Sequence, residues 1–240
     1  MGGVLVVGDN YYLLSALPSL GELGSVPPLS PVALLEKSST CGSTATPQLR
    51  MLFLASDLLQ REAYLAGEIE EVEGLYLSEE QLRNEAPLPS FLEPRRDEQE
   101  ASGRLAVDHI WDAYFRETHR VSRKGSFLSR WVGYEVALRN ALAAARAKAL
   151  DLDPSGWLVA PDLAAEDFDF SNVLNEWSSA STPAAGLRVL DAARWEWAMA
   201  NDDWFTFSDD EVTSYAAKLM LLQRWHTLSK HESESGVHGH

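Results

Sequence analysis

Cysteine and long apolar runs are the two features that this sequence most clearly lacks. Its single cysteine, Cys41, excludes an intrachain disulfide and fits a reducing compartment. The residue lies in a loop rich in serine and threonine, with no basic neighbour to favour a reactive thiolate, so we expect it to be inert. No apolar run approaches the roughly 18 residues that a membrane-spanning helix needs. The apolar residues 4–7 follow no basic segment and are soon interrupted by Asp9, so we do not expect a signal peptide.

Basic residues are also scarce. The chain has 20 lysines and arginines against 36 aspartates and glutamates, which gives a formal net charge of −16. Nucleic-acid phosphates and anionic lipids bind positively charged surfaces, so we expect neither as a partner. A basic segment, residues 122–150, carries six bases and one acid, and it lies between the acidic segments 57–100 and 151–211. Its charges either pair with those segments inside the fold or form a charged docking surface.

Sequence motifs of catalysis and ligand binding are missing too. The six histidines include no His-Glu-x-x-His pattern, and the glycines form neither a dinucleotide-binding motif nor a P-loop. No G-x-S-x-G sequence provides a nucleophilic serine. Acidic pairs such as Glu79-Glu80 fall at expected helix ends or in loops, where they favour the helix dipole or face water. We therefore predict no catalytic, cofactor-binding or metal-ligating residue and no cofactor.

The apolar spacing that is present predicts an all-α fold, a bundle of long antiparallel helices. Apolar residues around Tyr114, Tyr134 and Leu219 recur at steps of three and four, which places them on one helix face. Gly125 and Gly133 weaken the second of these helices, so we expect it to begin near Phe127. At most a minor strand is expected near the N-terminus, over residues 1–7 or 11–14.

Capping residues mark several helix starts. A hydroxyl precedes a proline or an acidic turn at four places, where it can accept an otherwise unpaired backbone amide. These places are Ser30-Pro31, Thr46-Pro47, and the predicted capping boxes Ser78 to Gln81 and Ser208 to Glu211.

Proline marks the loops at 18–30 and 87–100, and it suggests how the chain is divided. The hydrophobic content of 45% is enough for one sizeable core or for two smaller lobes. We predict a single helical domain over 1–230, with 1–86 and 101–230 as its two lobes if the proline-rich segment 87–100 is a linker. The polar residues 231–240 are expected to form a flexible tail.

Tryptophan is abundant, with eight in the chain. Four of them come late in the sequence: Trp195, Trp197, Trp204 and Trp225. Such residues fill the space between helices or, alternatively, form an exposed aromatic anchor for a protein partner.

One polar stripe follows the second amphipathic helix. Glu135, Arg139 and Arg146 lie beside its apolar face, and Glu135 can pair with Arg139 one turn away. Arginines in such positions reach carboxylates on a neighbouring helix or on a partner, and we interpret them first as structural and second as an interaction site. Lys218, in the last helix, is expected to extend its ammonium group from a buried face to water.

Three stretches, taken in order, resemble a bacterial family of unknown function (domain of unknown function 2764) whose genes lie in V-type ATPase clusters. They read YYLLSALP followed by PPLS, YEVALRNAL continuing to RAK, and YAAKL continuing to RW. The middle stretch, residues 134–148, is also similar to the C (or d) subunit of V- and A-type ATPases, an all-helical socket between the central stalk and the membrane ring. The resemblance implies interaction or structural roles for Glu135, Arg139, Asn140, Arg146, Lys218 and Trp225.

The function implied is that of a non-catalytic helical connector or assembly factor of a bacterial V-type ATPase. Its expected partners are central-stalk or membrane-ring subunits, with no nucleic acid, no direct membrane insertion and no small-molecule substrate. Such a protein would be cytoplasmic, or peripheral to the membrane through the ATPase. Two alternatives stay open: a helical adaptor of an unrelated complex, and a small helical enzyme. The enzyme would assemble its site from His109, Glu135, Arg139 and His226.

Overall fold

The computed structural model describes residues 10–93 and 106–237, and its regular structure is helical. Throughout this described part no strand occurs, so the prediction of an all-α fold is confirmed. Residues 11–14 belong to a helix, so the possibility of a strand there is wrong, and residues 1–7 lie outside the described residues. The helices are α1 (Tyr11–Ala16), α2 (Pro31–Thr40), α3 (Thr46–Leu65), α4 (Glu79–Leu82), α5 (Ala106–Val121), α6 (Phe127–Ala149), α7 (Ser171–Ser178), α8 (Pro183–Ala200) and α9 (Asp209–Val237). Two short 3-10 turns, Pro154–Trp157 and Pro161–Leu163, follow α6.

The chain forms two compact units that are interleaved in sequence. The first is made from both ends of the described chain, residues 10–52 and 176–237, and the second from residues 53–93 and 106–175. The boundaries of these units, after residues 52 and 175, differ from the boundary predicted between two lobes, which lay in the segment 87–100. Part of that segment lies outside the described residues. Helix α9 extends to Val237, into the segment that was expected to be a flexible tail.

Three of the expected helix starts have the predicted geometry. The Ser30 hydroxyl accepts the amide of Ala33 at 3.1 Å, with Pro31 in the first turn of α2. Ser78 and Gln81 form a reciprocal capping box at α4, with each side chain accepting the other's backbone amide. Helix α6 begins at Phe127 as predicted, with Ser126 as its cap.

The other two starts differ from the prediction. The Thr46 hydroxyl donates to the Ser43 carbonyl at 2.9 Å instead of capping α3. Ser208 does accept the Glu211 amide at 3.3 Å, but the Glu211 carboxylate does not return to Ser208. It accepts amides from the preceding loop, because that loop folds back over the start of α9.

The core of the second unit is built around α6. Its apolar face is buried, as the spacing predicts, and includes Phe127, Trp131, Tyr134, Leu138 and Leu142. Gly133 lies where the second 3-10 turn packs on α6: a Cβ there would meet the Leu163 carbonyl at 3.4 Å, an ordinary van der Waals distance. The Ala165 amide donates to the Gly133 carbonyl at 3.0 Å across the same contact.

A buried carboxylate organises the loop after α3 in the same unit. Asp57 is fully buried and accepts the backbone amides of Leu75, Tyr76 and Leu77 at 2.9, 2.7 and 2.7 Å. Burial raises the pKa of the Asp57 carboxyl, and the three amide hydrogen bonds offset part of that effect. One side chain therefore satisfies three consecutive donors that the loop itself leaves unpaired.

In the first unit α9 is the central element. It packs against α8 and α2, and the apolar residues predicted around Leu219 are buried, including Val212, Ala216 and Leu222, as is Leu221.

Candidate interaction surface

Asn140 lies inside the second unit. Only 8% of its surface is exposed, and its amide group makes two hydrogen bonds to the backbone of Val159. The Asn140 nitrogen donates to the Val159 carbonyl, and the Asn140 oxygen accepts the Val159 amide, each at 2.9 Å. Asn140 thus reproduces the pairing of a strand neighbour and ties the segment between the two 3-10 turns to α6.

Arg139 is half-buried on the same helix and contacts an aromatic ring. Its guanidinium carbon lies 4.5 Å from the ring centre of Trp111 on α5, within cation–π distance. The Trp111 indole N–H donates in turn to the Glu62 carboxylate. Arg139 therefore joins α6 to α5, which agrees with a structural role.

The other two members of the stripe differ in exposure. Glu135 is half-buried near the phenol of Tyr114, whose pKa is raised chiefly by burial and further by the Glu135 charge. Arg146 is exposed, one turn before the end of α6. An interaction role for these residues stays a prediction, with Arg146 the most accessible of the four on this helix.

Lys218 does not reach water, so that expectation is wrong. It is only 7% exposed, and its ammonium group pairs with the buried carboxylate of Asp202. The other carboxylate oxygen accepts the Ser214 hydroxyl at 2.5 Å. Burying two charges is tolerated because they face each other and the remaining oxygen is also satisfied.

The late tryptophans divide between the two interpretations. Trp197 is buried, and Trp225 is half-buried with the Arg188 guanidinium 5.5 Å from its ring centre. Both fit the core-filling interpretation. Trp204, in contrast, is 64% exposed, although one face of its ring lies 5.3 Å from the Lys218 ammonium.

Trp204 belongs to a loop between α8 and α9, residues 202–208, here called the aromatic loop. The next residue, Phe205, is 80% exposed. Phe205 and Phe207 both have left-handed backbone conformations, with φ of 56° and 52°. For a bulky residue this conformation is unusual and costs about 1–2 kcal/mol.

Glu211 holds the aromatic loop in this conformation. Its carboxylate accepts the amides of Phe205, Thr206 and Phe207 at 3.2, 2.9 and 2.8 Å. Together with the Asp202–Lys218 pair at the start of the loop, these bonds fix the backbone while the two aromatic rings stay in solvent. The loop is thus held in position by polar contacts beneath it and not by burial of its own apolar side chains.

Two tyrosines of α1 extend the exposed aromatic area within the same unit. The ring centres of Tyr11 and Phe207 are 5.0 Å apart, and Tyr12, 78% exposed, lies edge-on to Tyr11 at 5.6 Å. The aromatic surface is defined here as Tyr11, Tyr12, Trp204, Phe205 and Phe207. Exposed aromatic rings of this kind are typical of an interaction site.

Acidic residues lie close in sequence to the rings of the aromatic loop. Residues 201–211 contain five acids and no base. Three of these acids have internal partners: Asp202 pairs with Lys218, Glu211 binds the loop amides, and Asp209 accepts Asn10 and Thr44 at 2.9 and 2.6 Å. Asp203 is exposed and Asp210 half-buried, and neither has a hydrogen-bond or ion-pair partner within the described residues.

Trp204 is one of the late tryptophans noted in the sequence, but it is not among the predicted interaction residues. Phe205 and Tyr12 are not among them either. The signal was present as a Trp-Phe pair between two Asp-Asp pairs, outside any helical spacing. The left-handed conformation of Phe205 and Phe207 had no such signal, because neither glycine nor asparagine marks it.

The described residues also bear on metal sites and on membrane spans. No group of three metal-binding side chains occurs among them, and no helix there has the length and apolar character needed to cross a bilayer. His109 and His226 are both half-buried and belong to different units.

Comparison with known proteins identifies a family. The model of the family described as "protein of unknown function (DUF2764)" matches residues 56–237, which include the second half of α3, all of α4 to α9 and the aromatic loop. No curated protein and no solved structure matches the chain.

Proposed function

We propose a function for the chain from the premise that it belongs to the family described as protein of unknown function (DUF2764), whose model covers most of its length. The proposal is a non-catalytic helical protein that connects or assembles subunits of a bacterial V-type ATPase. It acts in the cytoplasm and reaches the membrane through the central-stalk or membrane-ring subunits that it binds.

The exposure of Trp204 and Phe205 on a rigid loop carries this proposal. The loop places two large apolar rings in water and holds Phe205 and Phe207 in a strained conformation, both of which reduce the stability of the isolated chain. A partner that buries these rings would recover the cost, because a buried Trp or Phe removes about 150–250 Å² from water. Preorganised aromatic anchors are characteristic of protein–protein interfaces.

The assignment to a V-type ATPase is supported by the resemblance of the three stretches described above. The contacts inside the chain limit how far residues 134–148 support a shared partner. Asn140 and Arg139 are occupied inside the chain, so they support a shared helical framework better than a shared partner contact. The proposed partner contact is accordingly placed on the aromatic surface.

An affinity pull-down from native cells with gently solubilised membranes tests this function. We expect stalk or ring subunits to be recovered with the unaltered protein and lost with the double variant Trp204→Ala/Phe205→Ala. The matched control is Trp157→Ala, an exposed tryptophan of the other unit. Circular dichroism would establish that each variant is folded. Recovery of the bait alone, from an extract in which the ATPase is intact, would refute the proposal.

A further inference from the structure

The chemistry around the aromatic surface specifies what kind of partner it accepts. Trp204 and Phe205 offer ring faces, and the same segment carries exposed Asp203 and half-buried Asp210, whose carboxylates have no hydrogen-bond or ion-pair partner within the described residues. Ring faces carry negative electrostatic potential and attract cations, and a neighbouring carboxylate strengthens that attraction. We propose that the aromatic surface is a docking site for a cationic protein segment whose arginine or lysine side chains lie against Trp204 and Phe205. This inference rests on the proposed function only for the identity of the partner.

Three basic side chains lie over tryptophan rings within this chain. Arg139 lies over Trp111, Arg188 over Trp225 and Lys218 over Trp204, at 4.5, 5.5 and 5.3 Å from the ring centres. In the last case the cation is on the inner side of the ring and is neutralised by Asp202. The ring remains largely exposed, so a partner cation has access to it without meeting an unpaired positive charge.

Charge disfavours the other occupants of such a surface. The phosphate groups of nucleic acids and the headgroups of anionic lipids would be repelled by a segment with five acids and no base. A second copy of the chain would bring the same carboxylates together across a two-fold axis. A basic protein segment with apolar side chains complements both the rings and the acids.

Fluorescence anisotropy with a labelled synthetic peptide provides the test. The probe is an amphipathic helix-forming peptide of arginine and leucine, compared with peptides of the same length in which glutamine or glutamate replaces arginine. We expect the full-length protein to bind the arginine peptide, the glutamine peptide at least about tenfold more weakly, and the glutamate peptide not measurably. Trp204→Ala should weaken binding of the arginine peptide about tenfold or more, which is typical of a central aromatic anchor.

A protein with net charge −16 attracts any polycation, so matched controls decide the result. The double variant Asp203→Asn/Asp210→Asn should weaken binding severalfold and reduce its salt dependence. Trp157→Ala and Asp167→Asn, which alter an exposed ring and an exposed acid of the other unit, should leave the affinity within about twofold. Equal losses in the control variants, equal affinity for the glutamine peptide, or tighter binding to anionic vesicles than to the arginine peptide would overturn the proposal.

The two proposals fail in different ways. If peptide binding depends on Trp204 but no ATPase subunit is recovered from cells, the docking site stands and the partner is another basic protein. If ATPase subunits are recovered equally with Trp204→Ala, the association with the ATPase stands but uses another surface, and the docking site is wrong.

Discussion

Replacing Asn140 by alanine tests whether its two hydrogen bonds to Val159 stabilise the second unit. The substitution removes both hydrogen bonds to Val159, whose own surface is almost completely buried. The amide and the carbonyl of Val159 then lose their partners without gaining water. Each such buried group costs about 1–3 kcal/mol, and the better helix propensity of alanine returns only about 0.5 kcal/mol. We therefore expect the free energy of unfolding to fall by about 2–5 kcal/mol.

Urea denaturation followed by circular dichroism measures this loss. The matched control is Asn172→Ala, since Asn172 is exposed on α7 and should change stability by no more than about 0.5 kcal/mol. If the two units unfold in separate transitions, the second unit's transition should be the one that moves. A loss below about 1 kcal/mol for Asn140→Ala would show that the two hydrogen bonds do not stabilise the fold as argued.

Three further substitutions have definite expected outcomes. Asp202→Asn leaves the Lys218 charge buried without its counter-charge, so thermal or urea unfolding should show a loss of about 3–5 kcal/mol. Replacing Lys218 by methionine and Asp202 by leucine together should cost less than Asp202→Asn alone, and a larger loss would contradict the desolvation argument. Glu211→Gln should speed hydrogen exchange of the amides of 205–207 while exchange in α9 beyond its first turn is unchanged, and unaltered exchange at 205–207 would exclude its bracing role. Asp57→Ala leaves three loop amides unpaired, so the free energy of unfolding should fall by more than about 2 kcal/mol, whereas exposed Asp167→Ala should be nearly neutral.

The features that follow local rules could be predicted from the sequence. The all-α class, the caps at Ser30 and Ser78, and the start of α6 at Phe127 all depend on residues a few positions apart. The buried faces of α6 and α9 follow from helical spacing for the same reason.

The features that could not be predicted from the sequence depend on residues that are far apart in the chain or that have a strained backbone. The partner of Asn140 is 19 positions away, and no local pattern connects the two. The partner of Lys218 lies in a loop with no periodicity, so solvent and a buried carboxylate were equally compatible with the sequence. Glu211 was expected to cap its own helix start. It binds the loop amides instead because Phe205 and Phe207 adopt a conformation that local propensity disfavours.

These local and distant features together explain why the candidate interaction surface in the structure differs from the residues predicted from the sequence. Of the residues predicted on that helix, Asn140 and Arg139 join elements of the second unit, and Arg146 is exposed. Most of the aromatic surface belongs to a loop whose backbone is strained and whose apolar side chains are exposed. Neither property follows from local sequence preferences. Departures of this kind are expected at functional sites, since the fold alone gives no reason to keep them.

Site-specific photo-crosslinking in native cells tests the central claim most directly. A photoreactive phenylalanine analogue placed at Phe205 would be compared with the same analogue at Trp157. Our account predicts a crosslink from position 205 to a basic segment of a V-type ATPase stalk or ring subunit, and none to that subunit from position 157. No crosslink from position 205, or the same products from both positions, would contradict it.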